Sequence, residues 1–499
     1  MKFDDKKIFP KLIILFILSV SLFYIIQSLF AGRRLNDFFW HYKVGEWIIK
    51  NKEIPTNGIF SWYAQEHNLY WYSHEWLSAV LIYLISFKSP IIAMATTSII
   101  GFIVVCFMVF ATKKYLTNNW SFYLLYTTIA AVILMIFFYP RPHVFSFLLL
   151  FWLMIAIYKY KEDTSSKLIY TLPIISILWA NIHGGSSNLV YILPIFVIIT
   201  SCFNFEFGKL EFTKLPKKAN IKLGIITIID VLCLMINPHG YKLLLYPLEN
   251  MNDDLMQYAI SEWQSPNLKT TSSLIICIPV LITLLSLCIS KKKINAMDLL
   301  VFLFFTYMYA RSERFITLFI ISSLFYVYKY AFDLSIDKFY EYSFKFKAGV
   351  YSFLIFFILG CAYLGIQEIA INKAPKAIDD CITQEVRDVI DQYPHERIYN
   401  HYNIGANLIY YGYDVYIDGR ADMYSGHNFQ DSCDMISYSI DKNGEPKAKK
   451  IIEENNFDMF ICSKTDKTIA YLKQYPEQYK EVYNDDNVVI YITNQGGIE

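Results

Sequence analysis

The chain has 499 residues, 55% of them hydrophobic and only 18% charged, with a mean hydropathy of +0.32. That balance excludes an ordinary soluble protein and fits a polytopic membrane protein. A formal net charge of +1 supplies no global field for nucleic acid. Met1–Lys7 is charged and leads into an apolar run from about Ile8 to Phe30. The run is too long for a signal-peptide core and long enough to span a bilayer, so it reads as a retained anchor, with cleavage near Ala31 as the alternative.

Further apolar runs fall at about 90–112, 119–139, 143–158, 168–180, 188–205, 221–236, 271–289, 296–310, 313–331 and 348–367. With the first run this predicts about eleven spans. Between the first two lies a large loop, residues 31–89, carrying Asn36-Asp37-Phe38-Phe39-Trp40-His41 and Ser73-His74-Glu75-Trp76. The apolar stretch Trp76–Phe87 is too short to cross and fits an interfacial helix.

The positive-inside rule sets the topology. With Met1–Lys7 in the cytoplasm, Lys113-Lys114, Lys159–Lys167, Lys209–Lys222, Lys291-Lys292-Lys293 and Lys338–Lys347 all fall inside. The outer connections are lysine-poor: Arg141-Pro142-His143, Asn181-Ile182-His183-Gly184-Gly185, Asn237-Pro238-His239-Gly240, Glu262-Trp263 and Arg311-Ser312-Glu313-Arg314. His41, His74, His143, His183 and His239 stand at outer span ends, and His67 lies in the first outer loop. The motifs play no part in the charge assignment, yet they gather on one face. Tolerance of interfaces by histidine and arginine accounts for single residues and leaves a one-sided set unexplained.

From about Asn372 the chain turns polar, and an odd number of spans puts residues 372–499 outside. Its length suits one domain. Asp379–Gln392 and Lys447–Asn456 have helical character, while Arg397–Asn400, Asp414–Ile417, Met459–Cys462 and Val488–Ile492 read as strands. This alternation predicts a small extracytoplasmic α/β domain. Asp418-Gly419-Arg420-Ala421-Asp422 follows one of those strands, where α/β folds place ligands; a salt-bridged turn is the structural alternative. No glycine-rich phosphate loop occurs. Of the nine cysteines, only Cys381, Cys433 and Cys462 lie in this polar tail, without metal spacing.

Asp37 and His41 are four apart and share a helix face. A carboxylate held beside Trp40 and His41 is partly desolvated, which pushes it toward a useful base. Glu75 opens the next helix, where capping is its alternative role. Arg141, Arg311 and Arg314 suit bidentate phosphate contacts, with snorkelling to headgroups as the alternative. His183 before Gly184-Gly185 suggests backbone packed close to a cavity, and Asn237-Pro238-His239-Gly240 is a turn by composition, with capping that turn as the alternative role for His239. The Asp, Glu and His set leaves a divalent cation open, since the spacing is not diagnostic.

The series Asp37-x-x-Trp40-His41, His74-Glu75-Trp76, Arg141-Pro142-His143, Asn181-x-His183-Gly184-Gly185, Asn237-Pro238-x-Gly240 and Asp418-Gly419-Arg420-Ala421-Asp422 resembles the GT-C superfamily of membrane glycosyltransferases, and within it a group of bacterial multi-span proteins classed with those enzymes. The resemblance runs from about Asp37 to Tyr491. It implies residues 1–371 as a GT-C-like transmembrane domain with the large loop 31–89, followed by the outer domain 372–499. Asp37 falls where the superfamily places its loop-one catalytic acid, and His74–Phe87 matches its second interfacial helix. Many members have two adjacent acids there; here Asn36 precedes Asp37, leaving Glu75 as the second acid or none. The Trp-Trp-Asp motif of oligosaccharyltransferases is missing, which argues against that branch.

The resemblance therefore implies an inverting glycosyltransferase of a bacterial plasma membrane. It would take sugar from a polyprenyl-phosphate donor and pass it to an extracytoplasmic glycan, lipid or protein. Asp37 would be the base and Arg311 and Arg314 would hold donor phosphate. His41, His74 and Glu75 would position sugar or acceptor, with Arg141, His143, His183, His239 and Glu262 as further binding candidates. Two rivals remain. A transporter or flippase of lipid-linked saccharide needs charges at span midplanes, whereas Asp230 and Asp298 read as close to cytoplasmic ends. A non-catalytic envelope-assembly protein would depend on Lys373–Glu499 and not on Asp37.

Overall fold

The computed structural model describes residues 11–22, 36–87, 89–115, 120–138, 140–331 and 381–494, together with 352 and 359. The charged start Met1–Lys7, the Ala31 alternative, the loop 338–347 and nearly all of the expected span 348–367 lie outside the described residues. The described chain is mostly helical with a small sheet component. It divides into two compact units, one of Met1–Gly32, Ile91–Pro247 and Ser261–Lys376, the other of Arg33–Pro90, Leu248–Ile260 and Ala377–Glu499. The loop 31–89, assigned from sequence to the transmembrane domain, thus groups with the tail.

In the first unit, helices occupy the apolar runs, among them Pro90–Thr112, Trp120–Ile136, His143–Glu162, Leu172–Ile182, Leu189–Thr200, Lys217–Leu234, Thr271–Ile289 and Ala296–Arg311. Among the described residues, His143–Glu162 and Thr271–Ile289 are long and apolar enough to cross a membrane by themselves. Several other helices bear apolar residues on their outer faces. On Lys217–Leu234, Ile221, Ile225, Ile228 and Leu232 are exposed, while Thr227 and Asp230 are buried. On Thr271–Ile289, Leu274, Leu281 and Leu285 are exposed, while Ser273, Thr283 and Ser286 are inside. Apolar-out, polar-in helices are what a lipid surrounding favours, because hydroxyls then find partners between helices. Tyr126 does so, meeting Thr283 at 3.1 Å and Ser323 at 2.5 Å.

Two sequence readings change here. The run 313–331 is broken into a 3-10 turn, Glu313–Phe315, and helices Ile316–Ser323 and Val327–Tyr330. The Ser322 and Ser323 hydroxyls donate to carbonyls three residues back, a local competition that loosens a helix. Asp298 does lie in the first turn of Ala296–Arg311, buried under the hydroxyls of Tyr158 and Tyr330, each 2.7 Å away, with Lys329 at 3.3 Å. Asp230, by contrast, is fully buried in the body of Lys217–Leu234, well away from its lysine-rich start.

The second unit carries a four-stranded sheet, in the order Ile398–Asn400, Met459–Ser463, Val488–Thr493, Tyr479–Asn484. The first pair is parallel, with Asn400 opposite Ile461, and the other two are antiparallel. Helices Gln384–Ile390, Gly405–Tyr411, Phe429–Ser437 and Lys447–Asn455 accompany it. The edge strand Tyr479–Asn484 was hidden in the sequence by Lys480 and Glu481 and by a bulge between Glu481 and Tyr483. Asp414–Ile417, read as a strand, stays outside the sheet. The Asn400 side chain takes its place as partner, accepting from Tyr416 N at 2.9 Å and donating to Ile417 O at 2.7 Å. Val415 instead bridges Ser61 of the first loop. The loop is stitched to the tail again where Trp62 Nε1 donates to Ile398 O at 3.0 Å and Arg397 meets Glu66 at 2.8 Å. Cys381, Cys433 and Cys462 form no disulfide among the described residues.

Candidate active site

Helix Asn36–Asn51 is the backbone of the site. Phe38, Phe39, Trp40, His41, Tyr42, Val44 and Ile48 are buried, covering more than one face because the helix is packed on two sides. On one side lies helix Trp76–Ser86, approached so closely that a Cβ on Gly45 would collide with the Ala79 carbonyl and stand 2.8 Å from Tyr83 Cβ. On the other lies Gly405–Tyr411, where the Tyr410 ring stands 4.9 Å from Phe39 and 5.5 Å from Tyr42. The aromatics of loop one thus build a rigid mount for Asp37 in the first helical turn.

Asp37 meets the tail at Gly419. A Cβ there would clash with Asp37 Oδ1 and stand 3.0 Å from Trp40 Nε1, so any side chain here would displace the Asp37 carboxylate. Next to Gly419, Arg420 is fully buried and donates from Nε and Nη2 to Asp418 at 2.8 and 2.6 Å. Tyr424 donates to the same carboxylate at 2.6 Å. Burial opposes the Arg420 charge, but Asp418 outweighs it and raises the guanidinium above its ordinary pKa. Arg420 also lies over Trp71, 4.9 Å from the ring centre, and Trp71 packs edge-on to Trp40 at 6.0 Å. The salt-bridged turn and the ligand-site reading of Asp418-Gly419-Arg420 are therefore not exclusive: the ion pair shapes a turn whose glycine abuts Asp37. Asp422 is half-buried in the short helix Ala421–Tyr424 beyond it.

The second loop cluster joins the first through Trp40, whose ring stacks on His41 at 3.5 Å. His41 Nε2 stands 3.6 Å from Glu75 Oε2, and His74 Nδ1 is 4.0 Å from Glu75 Oε1. Glu75 occupies the N-cap position of Trp76–Ser86 but makes no side-chain cap. Two buried donors, Trp40 Nε1 and Arg420 Nη1, have no protein acceptor among the described residues. Buried donors of this kind are commonly met by ordered water, an ion or a ligand. The sequence missed Trp71, Tyr424 and the particular need for Gly419. The Tyr70-Trp71-Tyr72 run carried a signal only as one aromatic cluster among many.

The remaining candidates belong to the first unit. Arg141 Nη1 pairs with Glu262 at 3.0 Å, a carboxylate partner in addition to the phosphate expected of it. Arg314 lies over Trp263 at 4.7 Å, and Ser312 donates to Glu262 O at 2.9 Å. Arg311 closes helix Ala296–Arg311. His143 Nε2 donates to Phe137 O at 2.8 Å. His183 Nδ1 lies 2.7 Å from Ser146 and 3.1 Å from Ser186, within a hydroxyl cluster that also receives Trp179 Nε1. His239 is buried, and Asn237 Oδ1 accepts from its backbone N at 2.7 Å within the turn. Among the described residues no three His, Cys, Asp or Glu side chains gather as a metal site.

Burial pushes Glu262 up, but Arg141 and Arg314 more than reverse this and hold it down to about 2. A depressed carboxylate stabilises the fold above its unfolded value, near 4.5, and loses that contribution as pH falls toward 2. Glu262→Gln is thus expected to lower thermal stability at neutral pH and to match the parent near pH 2. A thermal-shift series from pH 7 to 2 checks this; a constant difference throughout would contradict it.

Comparison with solved structures adds the fold. The archaeal oligosaccharyltransferase AglB from Archaeoglobus fulgidus, in complex with an inhibitory peptide and a dolichol-phosphate, matches 99% of this chain and 75% of its own at 11% identity, with a TM-score of 0.57. The apo crystal structure of the Archaeoglobus fulgidus oligosaccharyltransferase matches over the same shares at 11% identity and a TM-score of 0.52. The chain has a GT-C-type fold. No protein-family model matches the sequence, and no curated protein does. The GT-C-type fold extends over nearly the whole chain, loop one and tail included.

Proposed function

We propose that this GT-C-type protein is a membrane glycosyltransferase that moves a sugar from a polyprenyl-phosphate carrier to an acceptor outside the membrane. The observation that carries the reading is the mounting of Asp37: a first-turn carboxylate set against Gly419, at the same glycine as Trp40 Nε1, a buried donor with no protein acceptor among the described residues. The fold neighbour's dolichol-phosphate and peptide support a lipid-phosphate donor and leave glycan, lipid or protein as acceptor. Asp37 takes the proton of the acceptor nucleophile, and direct displacement inverts the anomeric centre. His41, His74 and Glu75 orient sugar or acceptor. Arg311 and Arg314 hold donor phosphate, with Trp263 fixing the Arg314 guanidinium. The apolar runs and the charge topology support eleven spans with an inner N-terminus and an outer C-terminal domain, and the sequence resemblance supports a bacterial plasma membrane. The test is transfer of radiolabelled sugar from a polyprenyl-phosphate donor by purified protein in liposomes; absence of any transfer across donor sugars and acceptor extracts would end the enzyme reading.

One observation favours the transporter rival. Asp230 is a fully buried carboxylate in the body of a helix, where intramembrane acids often serve transport. Under the enzyme reading it is a packing residue. Asp230→Asn, which keeps the side chain's size, then leaves the sugar-transfer rate of the folded protein essentially unchanged. Loss of lipid-linked saccharide translocation in that variant, with transfer absent from both proteins, would favour the rival.

A further inference from the structure

A small three-stranded sheet in the first unit is not absorbed by the enzymatic reading. Phe205–Phe207 pairs antiparallel with Leu210–Phe212, which pairs parallel with Ile294–Asn295. Gly208, first residue of the two-residue turn, has φ +55, as tight hairpins require there. Alternation splits the hairpin into two faces. Glu206 stands opposite Glu211 on one, where Lys293 pairs with Glu206. Phe205 opposite Phe212 and Phe207 opposite Leu210 form the other. That apolar face looks outward: Phe203, Phe205 and Phe207 are 54%, 52% and 74% exposed. Phe203 and Phe205 both lean on Phe212, at 5.9 and 6.0 Å.

The hairpin is held stiffly. Lys209 Nζ donates to Cys288 O at 3.0 Å and Ser290 O at 2.9 Å, and Asn204 Oδ1 accepts from Lys214 N at 2.7 Å. Around it, Lys214, Lys217, Lys218, Lys291 and Lys292 are exposed and make no ion pair among the described residues. Lys217 and Lys218 open a helix that has no acid in its first turn, a placement that the helix dipole disfavours unless an anion lies nearby. Stiff exposed phenylalanines ringed by unpaired lysines match the two parts of an anionic lipid surface, its acyl boundary and its phosphates. By charge topology this surface faces the cytoplasmic leaflet.

We propose that the hairpin Phe205–Phe212 seats in the bilayer interface and, with Lys214, Lys217, Lys218, Lys291 and Lys292, binds anionic phospholipid headgroups. The proposal is independent of the catalytic reading. The test is amide hydrogen exchange of the full chain in nanodiscs of phosphatidylcholine alone or with phosphatidylglycerol. Exchange across 203–212 is expected to slow with phosphatidylglycerol, and to return to the zwitterionic level in 0.5 M salt and in the variant K214Q/K217Q/K218Q/K291Q/K292Q. Each lysine removed is expected to cut the preference for phosphatidylglycerol roughly fivefold in lipid competition. F205S/F207S should exchange fast in both discs while exchange in Lys447–Asn455, far along the chain, stays as in the parent. Equal exchange in the two lipids, or a fast-exchanging hairpin in both, would overturn the proposal and leave the face to solvent or to a protein partner.

Discussion

Asp37→Asn is expected to abolish most sugar transfer while the protein still folds and binds its donor. The substitution keeps size and polarity at the Gly419 contact, so the mount built from Phe38, Phe39 and Tyr42 has no reason to shift. What it removes is the proposed proton acceptor. A well-placed general base contributes about 10²–10⁴-fold, so kcat should fall by that order with KM for the lipid donor little changed. Asp37→Glu offers a sharper contrast. It retains the base but carries an added methylene toward Gly419, where even a Cβ from the other side would clash, so its defect should be intermediate. Unaltered turnover in Asp37→Asn would falsify the assignment of the base, though not the fold.

Arg420→Ala is expected to destabilise the second unit rather than merely slow it. The guanidinium is fully buried, forks onto Asp418, and roofs Trp71. Its removal leaves Asp418 buried with Tyr424 as a neutral donor at 2.6 Å. Breaking a buried pair from one side typically costs about 3–5 kcal/mol, a large part of a domain's total stability. The expected signs are a lowered melting transition, faster proteolysis within the tail, and loss of transfer. Arg420→Lys should recover little, because an ammonium cannot reproduce the two-pronged contact. If Arg420→Ala melted like the parent yet lost transfer, Arg420 would instead act on substrate directly through Nη1.

Much of the molecule was legible before its fold was known, and the limits have physical causes. Long apolar runs with lysine at one end announce helices such as His143–Glu162, since lipid leaves few options for a polypeptide backbone. Strands Ile398–Asn400, Met459–Ser463 and Val488–Thr493 lie under both faces of the tail and show as β-branched and aromatic runs. The false strand Asp414–Ile417 has the same look, because propensity cannot tell a strand partner from the Asn400 side chain. Candidate chemistry followed residue type, which flagged Asp37, His41, Glu75 and Arg420 alike. Pairing did not: nothing in the spacing says that Gly419 abuts Asp37 or that Glu262 neutralises Arg141. Those facts live in contacts between distant segments.

One such contact bears on how the protein is made. Trp62 reaches Ile398 across 336 residues of sequence, and Glu66 reaches Arg397 across 331. If the first loop is exported soon after the initial span inserts, it waits outside the membrane through synthesis of every later span, with Trp62 and its neighbours uncovered. The tail is made later and supplies their partners Arg397 and Ile398. Completion of the loop then waits for synthesis of Arg397 and Ile398, and a ribosome stalled before them would leave the aromatic loop half-folded and open to chaperones and proteases. A tail supplied as a separate chain is an equally direct corollary: it should find and complete the loop in trans.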